Sequence, residues 1–346
     1  MKKSFFTIAI LVLICQHVLS QAGRGVYQFL ELPVSSRMAA LGSANVSLND
    51  NDINFGFQNP SLLTSETHNT ISLNMANYLA DIRFGSAVYG RTIGAKNYFA
   101  IGVQYVDYGL FDETNVVGVK LGEFTAKDVA LSVMYSRPLT DKISVGATLK
   151  PIFSSFERYS SFGMAMDLGA SYNNPLHLFS AGVVFRNIGS QIKGYYSDED
   201  GQHLESMPFN IQMGMSKKFL HAPLRVSFTL NNLQTWDLTY QSENQPSDQL
   251  NATASSNKVG FVDMAFRHTI LAAEFVPSKN FYLAIAYNHR RQKEMSMNGF
   301  KNSAGFSYGG GVKISKFHVG FGMTKFQVGN YSYQFSISTS LNEFRL

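Results

Sequence analysis

Cysteine is almost absent from this 346-residue chain: Cys15 is the only one. It lies in an N-terminal segment that reads as a removable leader, so the mature chain is left without disulfides, thiol chemistry or a cysteine-bound metal. Long apolar runs are also missing. A membrane-crossing helix needs about 20 consecutive apolar residues, and only the N-terminus comes near that. Charge is scarce at 15% of residues. Without Lys2 and Lys3 of the leader, 27 basic residues face 24 acidic ones, too even a balance for a nucleic-acid surface. The eight histidines are scattered without metal-ligand spacing. No P-loop, zinc motif or dinucleotide fingerprint occurs. These absences exclude a helical membrane protein, a disulfide-stapled domain and the common nucleotide-dependent enzymes, and no cofactor is expected.

The leader has three parts: basic Lys2 and Lys3, an apolar stretch over residues 5–15, and Val18-Leu19-Ser20 before Gln21. Residues 1–20 are therefore expected to be a signal peptide cleaved after export. Ile14, before Cys15, is too bulky for a lipoprotein cleavage site.

Aromatic residues and glycine are plentiful, with 28 Phe, 17 Tyr and 28 Gly, and they fall into strands with a period of two. Phe99, Ile101, Val103 and Tyr105 alternate with Tyr98, Ala100, Gly102 and Gln104. Leu224, Val226, Phe228 and Leu230 alternate with Arg225, Ser227, Thr229 and Asn231, and Phe317, Val319, Phe321 and Met323 with His318, Gly320, Gly322 and Thr324. One row is lipid-like. The other is rich in Gly, Ala and Ser rather than in the Lys and Glu of a soluble sheet, which suits a crowded barrel interior. About fourteen strands are expected, beginning near residues 69, 82, 96, 126, 141, 158, 176, 208, 223, 258, 280, 302, 316 and 330. Connections after even strands are short. Those after odd strands are long (about 107–125, 189–207, 233–257 and 290–301), apart from strands 1–2 and 13–14. Bacterial outer-membrane barrels sort their loops this way. The expected fold is all-β: a 14-stranded antiparallel transmembrane barrel over residues 68–346, behind a plug segment over residues 21–67.

That plug segment carries a motif. Ser35 or Ser36 can cap a short helix ending at Gly42, Ala44 to Leu48 suits a short strand, and Asn59-Pro60 opens a second helical turn. The segment is too apolar to hang free and is placed in the periplasmic mouth of the barrel. Arg37, Ala39, Ala40, Leu41 and Gly42, then Asn59, Pro60 and Leu62, resemble the N-terminal signature of the PorV/PorQ family of Bacteroidota outer-membrane proteins, distant relatives of FadL-type channels; Ser61 stands where the family has Ala. The resemblance covers nearly the whole mature chain. It implies an integral outer-membrane component of the type IX secretion system that holds the surface protein PorZ and, with PorU and PorV, serves cargo attachment to the cell surface. The alternative is a FadL-like transporter of small hydrophobic molecules.

Other candidates are weaker. Gly305-Phe306-Ser307-Tyr308-Gly309 matches a nucleophile elbow in letters, but that elbow needs a strand-to-helix turn and these residues sit in a strand pattern, so no enzyme is expected. Asp198-Glu199-Asp200 reads as a solvated loop. Asp167, Arg225, Asp263 and Arg267 are expected to face inward and to pair structurally or with the plug. Tyr195, Tyr196 and Trp236 are candidate anchors for a protein partner in the long loops. Arg290 and Arg291 are candidate contacts for lipopolysaccharide phosphates.

Overall fold

Alternation with a period of two leaves each strand with one apolar and one small or polar face, and closing the sheet sends every apolar face outward. In the computed structural model fourteen antiparallel strands do this. The structure describes residues 25–78, 82–198, 201–239, 260–295, 303–326 and 330–344; the expected signal peptide, Glu199, Asp200 and most of the 233–257 loop lie outside them. The strands are β1 (Thr70–Asn77), β2 (Arg83–Ile93), β3 (Asn97–Thr114), β4 (Lys120–Pro138), β5 (Ile143–Phe156), β6 (Tyr159–Asn174), β7 (Phe179–Lys193), β8 (Asn210–Lys218), β9 (Leu224–Leu230), β10 (Thr269–Ser278), β11 (Phe281–Asn288), β12 (Phe306–Ile314), β13 (Phe317–Thr324) and β14 (Ser332–Ser340). Each pairs with its sequence neighbours, and β14 closes on β1 from Thr70↔Ser340 to Asn77↔Tyr333.

Leu73, Met75, Ile101, Leu131, Val133, Leu149, Phe185, Met215, Leu271, Leu283, Phe321, Phe335 and Ile337 all face outward and are exposed. An apolar band around a whole molecule is not sustainable in water. In lipid it is the stable arrangement, because closure pairs the backbone of every strand. The fold is that of an integral outer-membrane β-barrel.

Two expected elements differ. The strand expected from residue 258 is a helix, α2 (Phe261–Arg267), followed by β10 from Thr269. A short apolar run fits both periods, and here Asp263 accepts a hydrogen bond from Arg267 one turn later at 3.0 Å. Asp263 and Arg267 therefore lie on that helix, above the barrel wall. The connection expected over residues 107–125 is instead an extension of β3 and β4. Pairing of β2 with β3 stops at Arg83↔Asp107 and that of β4 with β5 at Ala126↔Phe156, so residues 108–125 project as a two-stranded ribbon past a bulge at Asp107/Leu110. A third helix, α3 (His289–Glu294), follows β11 at the same loop-bearing end. By the sorting of loop lengths this is the outer end.

The inward face is set by glycine. A Cβ on Gly182 would lie 2.0 Å from the Val46 carbonyl oxygen, and one on Gly102 would lie 2.4 Å from the Phe57 ring. The wall is bare where the N-terminal segment presses on it. Gly182→Val is expected to cost about 1–3 kcal/mol as overpacking, read as a lower urea midpoint in detergent. The control is Gly260→Ala, since among the described residues nothing lies within 4 Å of a Cβ at that position. Equal midpoints would show that the plug does not press on the wall at Gly182.

Candidate functional site

The N-terminal segment runs the length of the lumen rather than resting in the periplasmic mouth. It begins at the outer end, where Val26 donates from its backbone N–H to the Ser206 carbonyl at 3.0 Å. A 3₁₀ turn (Gln28–Glu31) follows, then helix α1 (Ser36–Ala40), then 3₁₀ turns at Ile53–Phe57, Pro60–Leu62 and Ser65–Thr67 before β1. Residues 44–48 pair with no strand and bend at Val46, so the strand expected there does not form. Their backbone instead meets side chains of the wall and of the plug itself: Ser180 of β7 donates to the Ser47 carbonyl at 2.6 Å, and Asn59 Nδ2 of the plug donates to the Val46 carbonyl at 2.9 Å.

Each motif residue has a local task. Ser35 caps α1, accepting from the Met38 N–H at 3.3 Å. Ala39 and Ala40 are fully buried, and the Ala40 methyl lies against Gly309 of β12 so closely that a Cβ there would come within 2.6 Å of it. Gly42 turns the chain with φ +86° in the left-handed region, beneath Ile270. Asn59 Oδ1 accepts from the Ser61 N–H at 3.1 Å and its hydroxyl at 2.7 Å, and Pro60 occupies the first position of the next turn. Leu41 and Leu62 join Val34, Met38, Phe55, Phe57 and Leu63 in an apolar layer against Val88, Ala100, Met134 and Ala284.

Arg37 holds the plug to the wall. Its Nη2 lies 2.5 Å from Asp50 and 2.9 Å from Glu274 of β10, and Nη1 is 3.7 Å from Asp52. Arg225 of β9 completes the cluster, 2.7 Å from Glu274 and 3.0 Å from Asp50. The Arg37 guanidinium also lies over the Tyr282 ring at 4.5 Å and 5.7 Å from that of Phe55. A second buried pair belongs to the wall: Lys150 contacts Asp167 at 2.5 Å, and the Asn187 N–H donates to Asp167 at 2.8 Å. Asp167 and Arg225 thus face inward as expected, and Arg225 does pair with the plug.

A second apolar layer lies nearer the outer end. Val26, Tyr27, Phe29 and Leu30 pack against Phe84, Val106, Ala130, Ile152, Ala165 and Met207. The chain's own first described residues fill this chamber.

The loop candidates separate. Tyr195 turns inward: it packs against that outer layer and its hydroxyl donates to Ser154, so it is a lumen residue and not an exposed anchor. Tyr196 is 54% exposed and stacks on His203. Trp236 is 52% exposed, stacked on His268 and tilted against Phe261. Arg290 and Arg291 are not on the lipid side. Arg290 bonds Glu294 at 2.6 Å and Asn232 at 3.3 Å, and Arg291 donates to Ser43 of the plug at 2.9 Å. Helix α3 thus directs Arg291 at the plug and Arg290 at Asn232. Ser307 is the second residue of β12, which continues as strand to Ile314, so no strand-to-helix turn carries it.

A closed barrel with a lipid-facing belt and a lumen occupied by its own N-terminal segment defines the class: a plugged outer-membrane β-barrel. The monoaromatic hydrocarbon channel CymD superposes with a TM-score of 0.54 at 14% identity, covering 90% of this chain and 98% of that one. The toluene transporter TodX of P. putida gives 0.51 at 12% identity, covering 90% and 99%. No family model and no curated protein sequence matches. The likeness is therefore one of architecture.

Arg37→Met would leave Asp50 and Glu274 short of a buried counter-charge. Breaking one partner of such a pair costs about 3–5 kcal/mol. The barrel is expected to form, with the plug open to proteolysis at lower urea than in the wild type. Unchanged protection would show that the apolar layers alone hold the plug.

Proposed function

We propose that this barrel passes small hydrophobic molecules across the outer membrane, with residues 26–30 occupying the chamber that such a molecule would enter. The observation that carries this reading is the outer apolar layer: Phe84, Val106, Ile152 and Met207 make a greasy wall around a segment that the covalent chain supplies. CymD, a monoaromatic hydrocarbon channel, and TodX, a toluene transporter, share this architecture over 90% of this chain and nearly all of theirs. Passage requires the outer segment to leave its layer, while the Arg37 cluster keeps the rest of the plug in place. On this reading the chain binds and releases its cargo without converting it.

A second reading is the type IX secretion scaffold: a PorQ-like barrel holding PorZ, within the PorU and PorV attachment machinery. Two observations favour it. The N-terminal motif resembles that family's signature, and the 108–125 ribbon projects an apolar tip, Val116, Val117 and Val119, with unpaired edges at the outer end. Exposed edges and apolar tips are docking material.

One comparison separates the two. Proteoliposomes carrying the wild-type barrel, and a variant lacking residues 25–32, are loaded outside with toluene. The channel reading expects uptake above that of empty liposomes, faster in the deletion. No uptake with either protein would overturn it. Recovery of a large surface protein with the solubilised wild type, lost on trimming residues 110–122, would then establish the scaffold.

A further inference from the structure

The plug does not fill the outer end of the lumen completely. A cavity of about 320 Å³ remains between the plug, the wall and α3. Three guanidinium groups line it: Arg186 from β7, and Arg290 and Arg291 from α3. Two of these retain unused donors. Arg186 is 3% exposed and gives Nη1 to Gln58 at 3.2 Å and Nη2 to the Leu30 carbonyl at 3.1 Å, but its Nε is buried with no partner among the described residues. Arg291 gives Nη2 to Ser43 and lies over the Phe326 ring at 4.6 Å, while its Nη1 is buried and unpartnered among the described residues.

The two carboxylates in the lining, Glu294 and Glu31, already have partners. Glu294 is taken by Arg290 at 2.6 Å. Glu31 accepts from Asn187 at 3.3 Å and Asn210 at 3.1 Å, and stands 3.9 Å from Arg186 Nη1. Among the described residues no carboxylate pairs with Arg291, and its burial pulls the guanidinium pKa down to about 10. Two buried guanidinium groups with spare N–H donors therefore share one space, and one of them lacks a counter-charge. Guanidinium forks are shaped for oxyanions.

We propose that this cavity is a binding site for a small oxyanion, a carboxylate or phosphate carried on a polar molecule, with Arg291 and Arg186 as its donors. The rest of the lining fits such a ligand: Asn231 and Asn232 offer carboxamides to hydroxyl groups, and Phe209 offers a flat ring. A hydrocarbon would leave both guanidinium groups unmet, so the site is distinct from the apolar layer around residues 26–30. It stands under either reading of the protein's function. A bound anion would bridge the plug, which Arg186 holds at Leu30 and Gln58, to α3, which carries Arg291.

The oxyanion can come free in solution or as the phosphate of a lipopolysaccharide, and calorimetry on the full barrel in nonionic detergent distinguishes them. The probes are inorganic phosphate, glucuronate, glucose as the neutral control, and purified phosphorylated lipopolysaccharide. The expected result is saturable binding of phosphate or glucuronate and none of glucose. Arg291→Gln should weaken it about tenfold or more, the loss of a charged hydrogen bond, and Arg291→Lys should fall between. Binding of lipopolysaccharide alone, lost in the same variants, would support the site with the envelope lipid as its source. Hydrogen exchange on the wild type tests the site without a substitution: phosphate or glucuronate should slow exchange in residues 289–294 and near Ser43. No binding of any probe, equal binding by Arg291→Gln, or binding without slowed exchange in those segments would overturn the proposal.

Discussion

The structure follows from the requirement that no backbone N–H or carbonyl face lipid unpaired. Fourteen strands meet it by closing on themselves, with β14 on β1. Closure creates a second demand, because a ring of this size encloses space that must be filled by water, ligand or protein. Here the chain fills it. The Gly, Ala and Ser of the inner rows make room for backbone against backbone at Gly146, Gly182 and Gly322. The outer row is chosen for lipid and the inner row for the plug, and one alternating pattern encodes both.

The plug is held by two kinds of interaction with different consequences. Apolar layers are tolerant: they lose stability gradually as contacts are removed. The Arg37–Asp50–Glu274–Arg225 cluster is intolerant, since Arg37, Glu274 and Arg225 are buried and Asp50 half-buried, and losing one leaves the others undercompensated. The intolerant contact lies on the middle of the plug, whereas the outer segment over residues 26–30 has no such ion cluster and is held by apolar packing and by hydrogen bonds of Tyr27 with Ser161, of the Val26 N–H to Ser206 and of Arg186 to the Leu30 carbonyl. The outer end is thus the part with the least to lose by leaving. That asymmetry gives a channel a place to open without releasing the whole plug.

Legibility in the sequence followed the same physics. Strand starts near 82, 96, 158, 223, 280 and 316 fell within a residue of Arg83, Asn97, Tyr159, Leu224, Phe281 and Phe317, because a lipid-facing row admits few exceptions. The ribbon over residues 108–125 was hidden, since outside the membrane nothing enforces apolar alternation and its residues read as a loop. Helix α2 was hidden because seven residues are too few to separate the two periods. Side-chain direction in the loops was least legible: charge at Arg291 and aromaticity at Tyr195 suggest exposure in a linear reading, yet both fold back into the mouth. A run of alternating glycines opposite an apolar N-terminal segment was the available signal that the lumen is packed along its length.

The N-terminal motif shows why fold and function part company here. Arg37, Ala40, Gly42 and Asn59 each act on the plug: an ion cluster, a close helix–wall contact, a left-handed turn and a cap. Of these four only Gly42 borders the cavity under α3. Any barrel that must seat such a plug on a glycine-lined wall meets the same constraints, whatever passes through it or docks on it. The motif therefore reports the architecture. What distinguishes one such barrel from another has to lie where the plug gives out, at the outer mouth, in the charged cavity under α3 and in the ribbon beyond the membrane.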